Sequence, residues 1–196
     1  MHDASSLGPI VVVSGIPRSG TSLMMQILDQ AGLPILSDTE RVADESNPQG
    51  YFELAAVRRT REDASWVARA HGNAVKVIHS LLDALPQEPQ YKVILMRRPV
   101  PEIVRSQDRM LSRMGAELGS LPSDRLKEIL SEQYEQAREH LKQEACFDWI
   151  EVEYPKLVSE PLPQIVRVLN FLDLDADPAR LVNTVDPELY RENSEN

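Results

Sequence analysis

Ile10-Val11-Val12-Val13-Ser14-Gly15-Ile16-Pro17-Arg18-Ser19-Gly20-Thr21-Ser22 is the stretch on which the fold of this 196-residue chain turns. Its first four residues are all β-branched and run without polar alternation, the pattern of a strand covered on both faces, as interior strands of parallel sheets are. Ser14 to Gly20 is a glycine-containing turn. Thr21 to Ala31 then sets Leu23, Met24, Ile27 and Leu28 at helical spacing, with Gly32 and Pro34 as stop signals. Gly15 and Gly20 have the separation found in phosphate loops, and they fall where such a loop belongs, after a buried strand and before a helix. Amides of Arg18 to Ser22 can converge on an oxyanion while the helix N-terminus adds partial positive charge. Glycines in a tight strand-to-helix turn also have a purely structural use, so the rest of the chain must decide.

Downstream, Leu33 to Leu36 reads as a short second strand and Ser46 to Gly50 as turn chemistry. Tyr51 to Ala70 reads as a helix with Phe52, Ala55, Ala56 and Trp66 inward. Ala74 to Ile78 and Tyr91 to Met96 are two further interior strands. After Arg98-Pro99 a helix runs to about Met114, with Ile103, Gln107, Met110 and Met114 on one stripe and Val104 and Leu111 beside it. Ser123-Asp124 can cap a long helix to about Glu144, burying Leu126, Ile129, Leu130, Ala137 and Leu141. Phe147 to Val152 is a strand, and Pro161 to Leu172 a helix with Ile165, Val166, Leu169 and Leu172 inward. From Asp173 the chain is acidic, read as short helix and coil. Strands alternating with helices predict an α/β protein: a P-loop-type three-layer fold with a mainly parallel central sheet flanked by helices. The reading is one domain over residues 1–196, with 1–8 and 192–196 as flexible ends.

Composition agrees and excludes. With 42% hydrophobic and 27% charged residues the chain is ordinary for a globular domain. At this length folding should bury about 70% of the surface the unfolded chain exposes, enough to need no staple. The lone Cys146 allows no internal disulfide or zinc cage, which points to a reducing, cytoplasmic setting. There is no signal peptide or membrane span to be read. The net charge of −10 is uneven: residues 1–116 hold thirteen acids and thirteen bases, and the excess acid lies beyond them. A general nucleic-acid binder is thereby excluded. Yet Arg97 to Arg113 carries five arginines against Glu102 and Asp108, a local anion site in an acidic chain.

A nucleotide kinase places Lys directly after the second glycine and an aspartate at a neighbouring strand end to hold magnesium. Here those places are Thr21 and Arg97-Arg98, and the loop's cation is Arg18. Arginine and amides are thus the groups available to neutralise a phosphate-like ligand, without a metal, which suits sulfuryl transfer better than ATP-dependent phosphoryl transfer. A P-loop nucleotide kinase and a non-catalytic nucleotide-binding relative are the alternatives.

Ile16 to Ser22 resembles the 5′-phosphosulfate loop of sulfotransferases, and Arg98 with Ser106 resembles that family's 3′-phosphate motif. Val152-Glu153-Tyr154-Pro155-Lys156-Leu157 through Phe171-Leu172 is similar to its late strand, tyrosine and helix. Asn47-Pro48-Gln49-Gly50-Tyr51-Phe52-Glu53 resembles a segment of bacterial members. The resemblance spans roughly Ile10 to Leu172 and implies 3′-phosphoadenosine-5′-phosphosulfate (PAPS) as donor, 3′,5′-adenosine bisphosphate (PAP) as product, no metal, and a small-molecule, glycan or peptide acceptor. Many family members continue to a basic, glycine-rich segment not found before Asn196, for which Arg191 is the candidate substitute.

Pro17, Arg18, Ser19, Gly20, Thr21 and Ser22 are then the donor loop, with Arg18 offsetting charge on the leaving phosphate. Thr21 and Ser22 could equally cap the helix. Arg98 and Ser106 are the 3′-phosphate ligands, although Arg98 could instead pair with Glu102. The acceptor must lose a proton. His79, closing a strand at the ligand-binding edge of a parallel sheet, resembles the catalytic histidine of cytosolic members; Glu53 and then Glu40 are its rivals. Lys76 can orient the sulfonate or be an edge lysine, and Trp66 and Trp149 read as core or pocket walls.

Overall fold

The computed structural model describes residues 8–38, 50–113 and 122–186. Among these residues the sheet has four strands, β1 (Ile10–Gly15), β2 (Ala74–Lys76), β3 (Tyr91–Arg97) and β4 (Phe147–Glu153), in the order β2-β1-β3-β4. All pairings are parallel. β1 pairs with β3 from Ile10 opposite Tyr91 to Gly15 opposite Met96, so both central strands end together at the turns that follow Gly15 and Arg97. Every residue of β1 is buried, as its unbroken apolar run requires.

Among the described residues six α-helices surround the sheet: α1 (Thr21–Gln30), α2 (Val100–Arg113), α3 (Ser123–Gln143), α4 (Tyr154–Ser159), α5 (Pro161–Leu172) and α6 (Pro178–Leu181). On one face Val11, Val13, Ile94 and Met96 meet Met24, Ile27 and Leu28 of α1 and Ile165, Val168 and Leu169 of α5. On the other, Ile10, Val12, Val93 and Leu95 meet Ile103 and Val104 of α2 and Leu130, Tyr134, Ala137 and Leu141 of α3. This is the three-layer α/β fold that the strand-helix alternation predicts. At the β4 edge, Arg167 of α5 donates from Nη1 to the Glu151 carbonyl at 2.8 Å, occupying an edge acceptor that another strand could otherwise take.

Several local expectations are corrected. Tyr51 to Ala70 is not one helix but two 3₁₀ turns, Ala55–Arg59 and Ser65–Arg69. The Asp38 carboxylate takes the Ala55 amide at 2.5 Å and the Asp63 carboxylate the Ser65 amide at 2.9 Å, competing with helical bonding. Trp66 is inward as expected, anchored by its indole N–H to Thr60 Oγ1 at 3.0 Å. Leu33 to Leu36 makes one bridge, Ile35 to Ala74, rather than a strand; Pro34 accepts from Ala74 but has no N–H to extend a ladder. β2 stops at Lys76, and Ile78 is 42% exposed because the chain turns into a 3₁₀ helix at His79–Ala84. Ser123 and Asp124 do not cap α3: Pro122 holds the N-cap position, and Asp124 pairs with Lys127 at 2.9 Å. In α5, Val168 is buried and Val166 exposed, since positions 165, 168, 169 and 172 make the helical stripe and 166 lies about 100° away from 165.

Candidate active site: two turns at the strand ends

Gly15 to Thr21 links β1 to α1 through two backbone positions that only glycine fits. A Cβ on Gly20, at φ +96°, would stand 2.8 Å from Tyr154 Cε2, and one on Gly15 would stand 2.9 Å from the Met96 carbonyl oxygen. Between them Arg18 has φ +75°, the left-handed region that β-carbons disfavour. Phe52 shares it at +53°. Such strain persists where surrounding structure imposes it, and it gathers at functional sites. Gly20 is also the N-cap of α1 and supplies no side-chain cap, so neither Thr21 nor Ser22 is used in that way. The first-turn amides therefore face outward with the helix's positive end behind them.

Arg18 donates from Nε to Ser106 Oγ of α2 at 3.1 Å, joining the first turn to the helix that follows the second. Arg98 runs the reverse way, donating from Nη1 to the Arg18 carbonyl at 3.1 Å. Its Nε meets Glu102 Oε2 at 3.0 Å, and the guanidinium lies 4.8 Å from the centroid of the Tyr154 ring. Arg98 and Glu102 are an i,i+4 pair whose side chains are only 6% and 1% exposed. Sequence reasoning left phosphate contact and ion pairing as alternatives for Arg98; the pair exists, and it braces the loop. Glu102→Gln leaves that charge buried with half its partner gone, so unfolding free energy falls by about 3 kcal/mol. In thermal unfolding that is a midpoint roughly 10 °C lower. An unchanged midpoint would show that the pair contributes nothing. Burial also raises the Tyr154 hydroxyl above its ordinary pKa, partly countered by Arg98 and Arg18.

Lys76 ends β2 and turns toward α1, donating to Ser22 Oγ at 3.1 Å and to the Tyr51 carbonyl at 3.0 Å. Its ammonium lies 3.9 Å from Glu53, which also meets Arg58 at 3.0 Å. One cation thus connects the Glu53 carboxylate to the phosphate loop. His79 is on the α3 side, 7% exposed, with Nδ1 3.3 Å from the Gly15 carbonyl and Nε2 3.1 Å from Gln133 of α3. Glu40 and Arg191 lie outside the described residues. Beside the loop a cleft of about 160 Å³ is lined by Ser19, Arg97, Arg98, Ile103, Tyr134 and Glu135 among others. The Ser19 hydroxyl is buried there with no hydrogen-bond partner among the described residues. On the far wall Tyr134 donates to Glu151 at 2.8 Å and Arg97 reaches the same carboxylate at 3.2 Å. Burial, and then that carboxylate, push the Tyr134 hydroxyl well above its usual range.

Sequence reasoning thus placed Arg18, Ser106, Arg98 and the loop in one cluster. It missed Gln133, Glu151 and the contact of Tyr154 with Gly20 and Arg98; an i,i+4 spacing announced Glu102, whereas nothing local announces the other three. The same architecture occurs in solved structures. Mouse sulfotransferase SULT7A1 complexed with PAP superposes with a TM-score of 0.60 at 12% identity, over 97% of this chain and 70% of that one. The sulfotransferase domain from the curacin biosynthetic pathway gives 0.54 at 15% identity, over 92% and 78%. Mycobacterium tuberculosis sulfotransferase STF1 gives 0.52 at 15%, over 91% and 71%. No curated protein sequence matches significantly. At these identities the likeness establishes fold alone, but the sulfotransferase family's sequence profile matches residues 36–178, well over half of the chain. That span takes in the second turn, Glu53 and the late strand and helix, and on it the chain belongs to the sulfotransferase family.

Proposed function

We propose that this protein binds PAPS and passes its sulfonate to a hydroxyl or amine on a small molecule, glycan or peptide. The observation that carries the reading is the Arg18–Ser106 bond: the cation of the loop assigned to the 5′ end of the donor is already tied to the hydroxyl assigned to its 3′ end. Ser106 Oγ accepts from Arg18, which leaves its own O–H to donate to a phosphate. The PAP held by the mouse relative supports a nucleotide with two separate phosphates. A cytoplasmic setting is part of the same proposal and suits a free, buried Cys146.

In the reaction the acceptor oxygen or nitrogen attacks sulfur, a bond forms there, and the bond from sulfur to the bridging oxygen breaks as PAP leaves. Arg18 and the turn amides offset the charge that grows on the leaving phosphate. We assign the acceptor's proton to Glu53, whose carboxylate stands beside Lys76 and through it beside Ser22. Lys76 holds both partners in place and is positioned to meet sulfonate oxygens.

Calorimetric titration with PAP, with ATP and magnesium as comparison, tests the donor site. Ser106→Ala is the cleaner variant, because removing Arg98 would strand a buried Glu102. PAP binds wild type, and Ser106→Ala weakens it by roughly tenfold, as loss of a hydrogen bond to a charged group does. Binding of ATP and magnesium without PAP would favour the kinase reading, and binding of neither the non-catalytic one.

A further inference from the structure

We infer that His79 and Gln133 form a latch that holds the entrance of the donor loop, His79 acting as a positioning residue and Gln133, which no motif marks, setting its ring. The inference rests on reading the turn after Gly15 as the donor loop. The Gly15 carbonyl can only accept, so the His79 Nδ1 that faces it at 3.3 Å carries a proton. The opposite nitrogen, Nε2, lies 3.1 Å from Gln133 Oε1, 54 residues along the chain, and that amide oxygen also only accepts, so Nε2 donates to it. The ring is thus gripped at both ends in a 7% exposed setting. Gly15 is the last residue of β1, at φ +154°, with Ser19 folded against it and the Met96 carbonyl too close to admit a β-carbon. Its peptide plane sets the direction in which the following amides point. A helix from the late half of the chain therefore fixes the peptide that aims the anion-binding amides, and Nε2 is engaged with Gln133 instead of facing a substrate.

The alternative for the same ring is proton acceptance from the acceptor, and the two parts predict different variants. Asparagine places its amide N–H near the position of histidine Nδ1, so His79→Asn keeps the bond to Gly15 while removing any base. Turnover of His79→Asn stays within about threefold of wild type, whereas His79→Leu raises the KM for donor more than it lowers kcat. A thousandfold loss of kcat in His79→Asn, with donor binding kept, would make the ring a base and overturn the latch.

The second measurement needs no ligand, so it stands even if PAP fails to bind and the proposed function falls. Amide hydrogen exchange across residues 16–22 of the full chain is compared in wild type, Gln133→Leu, Gln133→Glu and, as control, the exposed Gln136→Leu. Gln133→Leu speeds exchange there by about threefold to tenfold, the ordinary worth of one hydrogen bond. Gln133→Glu, which still offers an acceptor to a protonated Nε2, and Gln136→Leu do not. Nitrogen-15 spectra of the ring show a proton on Nδ1 and a second on Nε2. Unchanged exchange in Gln133→Leu, or a wild-type ring protonated on Nε2 alone, would sink the inference.

Discussion

Arg18→Ala lowers donor turnover by roughly 10²- to 10³-fold, the cost of removing one preset charge stabiliser from a transition state. Release of PAP from PAPS, with whichever acceptor a screen finds active on wild type, is the measurement. The size follows from where Arg18 stands. It is the cation of a loop that has Thr21 where phosphate loops of kinases carry lysine, and its Nε is already aligned by Ser106 at 3.1 Å. Binding of PAP weakens less than turnover, because the turn amides and Ser106 remain and the ground state bears less charge on the bridging oxygen. Alanine at φ +75° is as strained as arginine, so the melting temperature moves by only a few degrees. A variant that retained wild-type turnover would remove Arg18 from the chemistry altogether.

Glu53→Gln keeps the shape and the hydrogen-bonding reach of the side chain but cannot take a proton. Its turnover falls by roughly 10²- to 10⁴-fold, the range for a lost general base, while PAP binding by calorimetry stays within about threefold. Losing both together would instead mean that Glu53 holds Lys76 in place for the donor: the ammonium is 3.9 Å from the carboxylate and 3.1 Å from Ser22. Full activity in Glu53→Gln would return the role of base to His79 or to Glu40. Arg58, which also meets Glu53, has a 65% exposed side chain, and Arg58→Ala changes turnover little.

The part of this fold that could be read from sequence is the part fixed locally. β1, the turn and α1 are consecutive, and β-branched run, paired glycines and helical spacing each report on neighbours in the chain. β3 with Arg98 and Ser106 was legible for the same reason, since the first seven residues of α2 bring the hydroxyl back over the turn. Tyr51 to Ala70 misled because its apolar spacing fits a helix, whereas a carboxylate at Asp38, seventeen residues before Ala55, captures the amide that would open it. Val166 misled by a single position, a difference that spacing alone resolves poorly in a helix that is apolar over most of its length. The pairing of Arg98 with Glu102 could be read from i,i+4 spacing, but its near-complete burial depends on Tyr154, more than fifty residues away. The grip of Gln133 on His79 is likewise a product of the α3 layer closing over the sheet.

The ring of Tyr154 touches Gly20 on one turn and Arg98 on the other, and Arg98 in turn bonds the Arg18 carbonyl. The two turns are therefore one rigid piece before any nucleotide arrives, and the entropy of bringing them into register is lost during folding instead of during binding. Such preorganisation makes the halves of the donor interdependent. On the proposed assignment of the turns, a fragment bearing only the 5′ phosphate meets a turn still braced from the 3′ side, and damage on either side is felt by both.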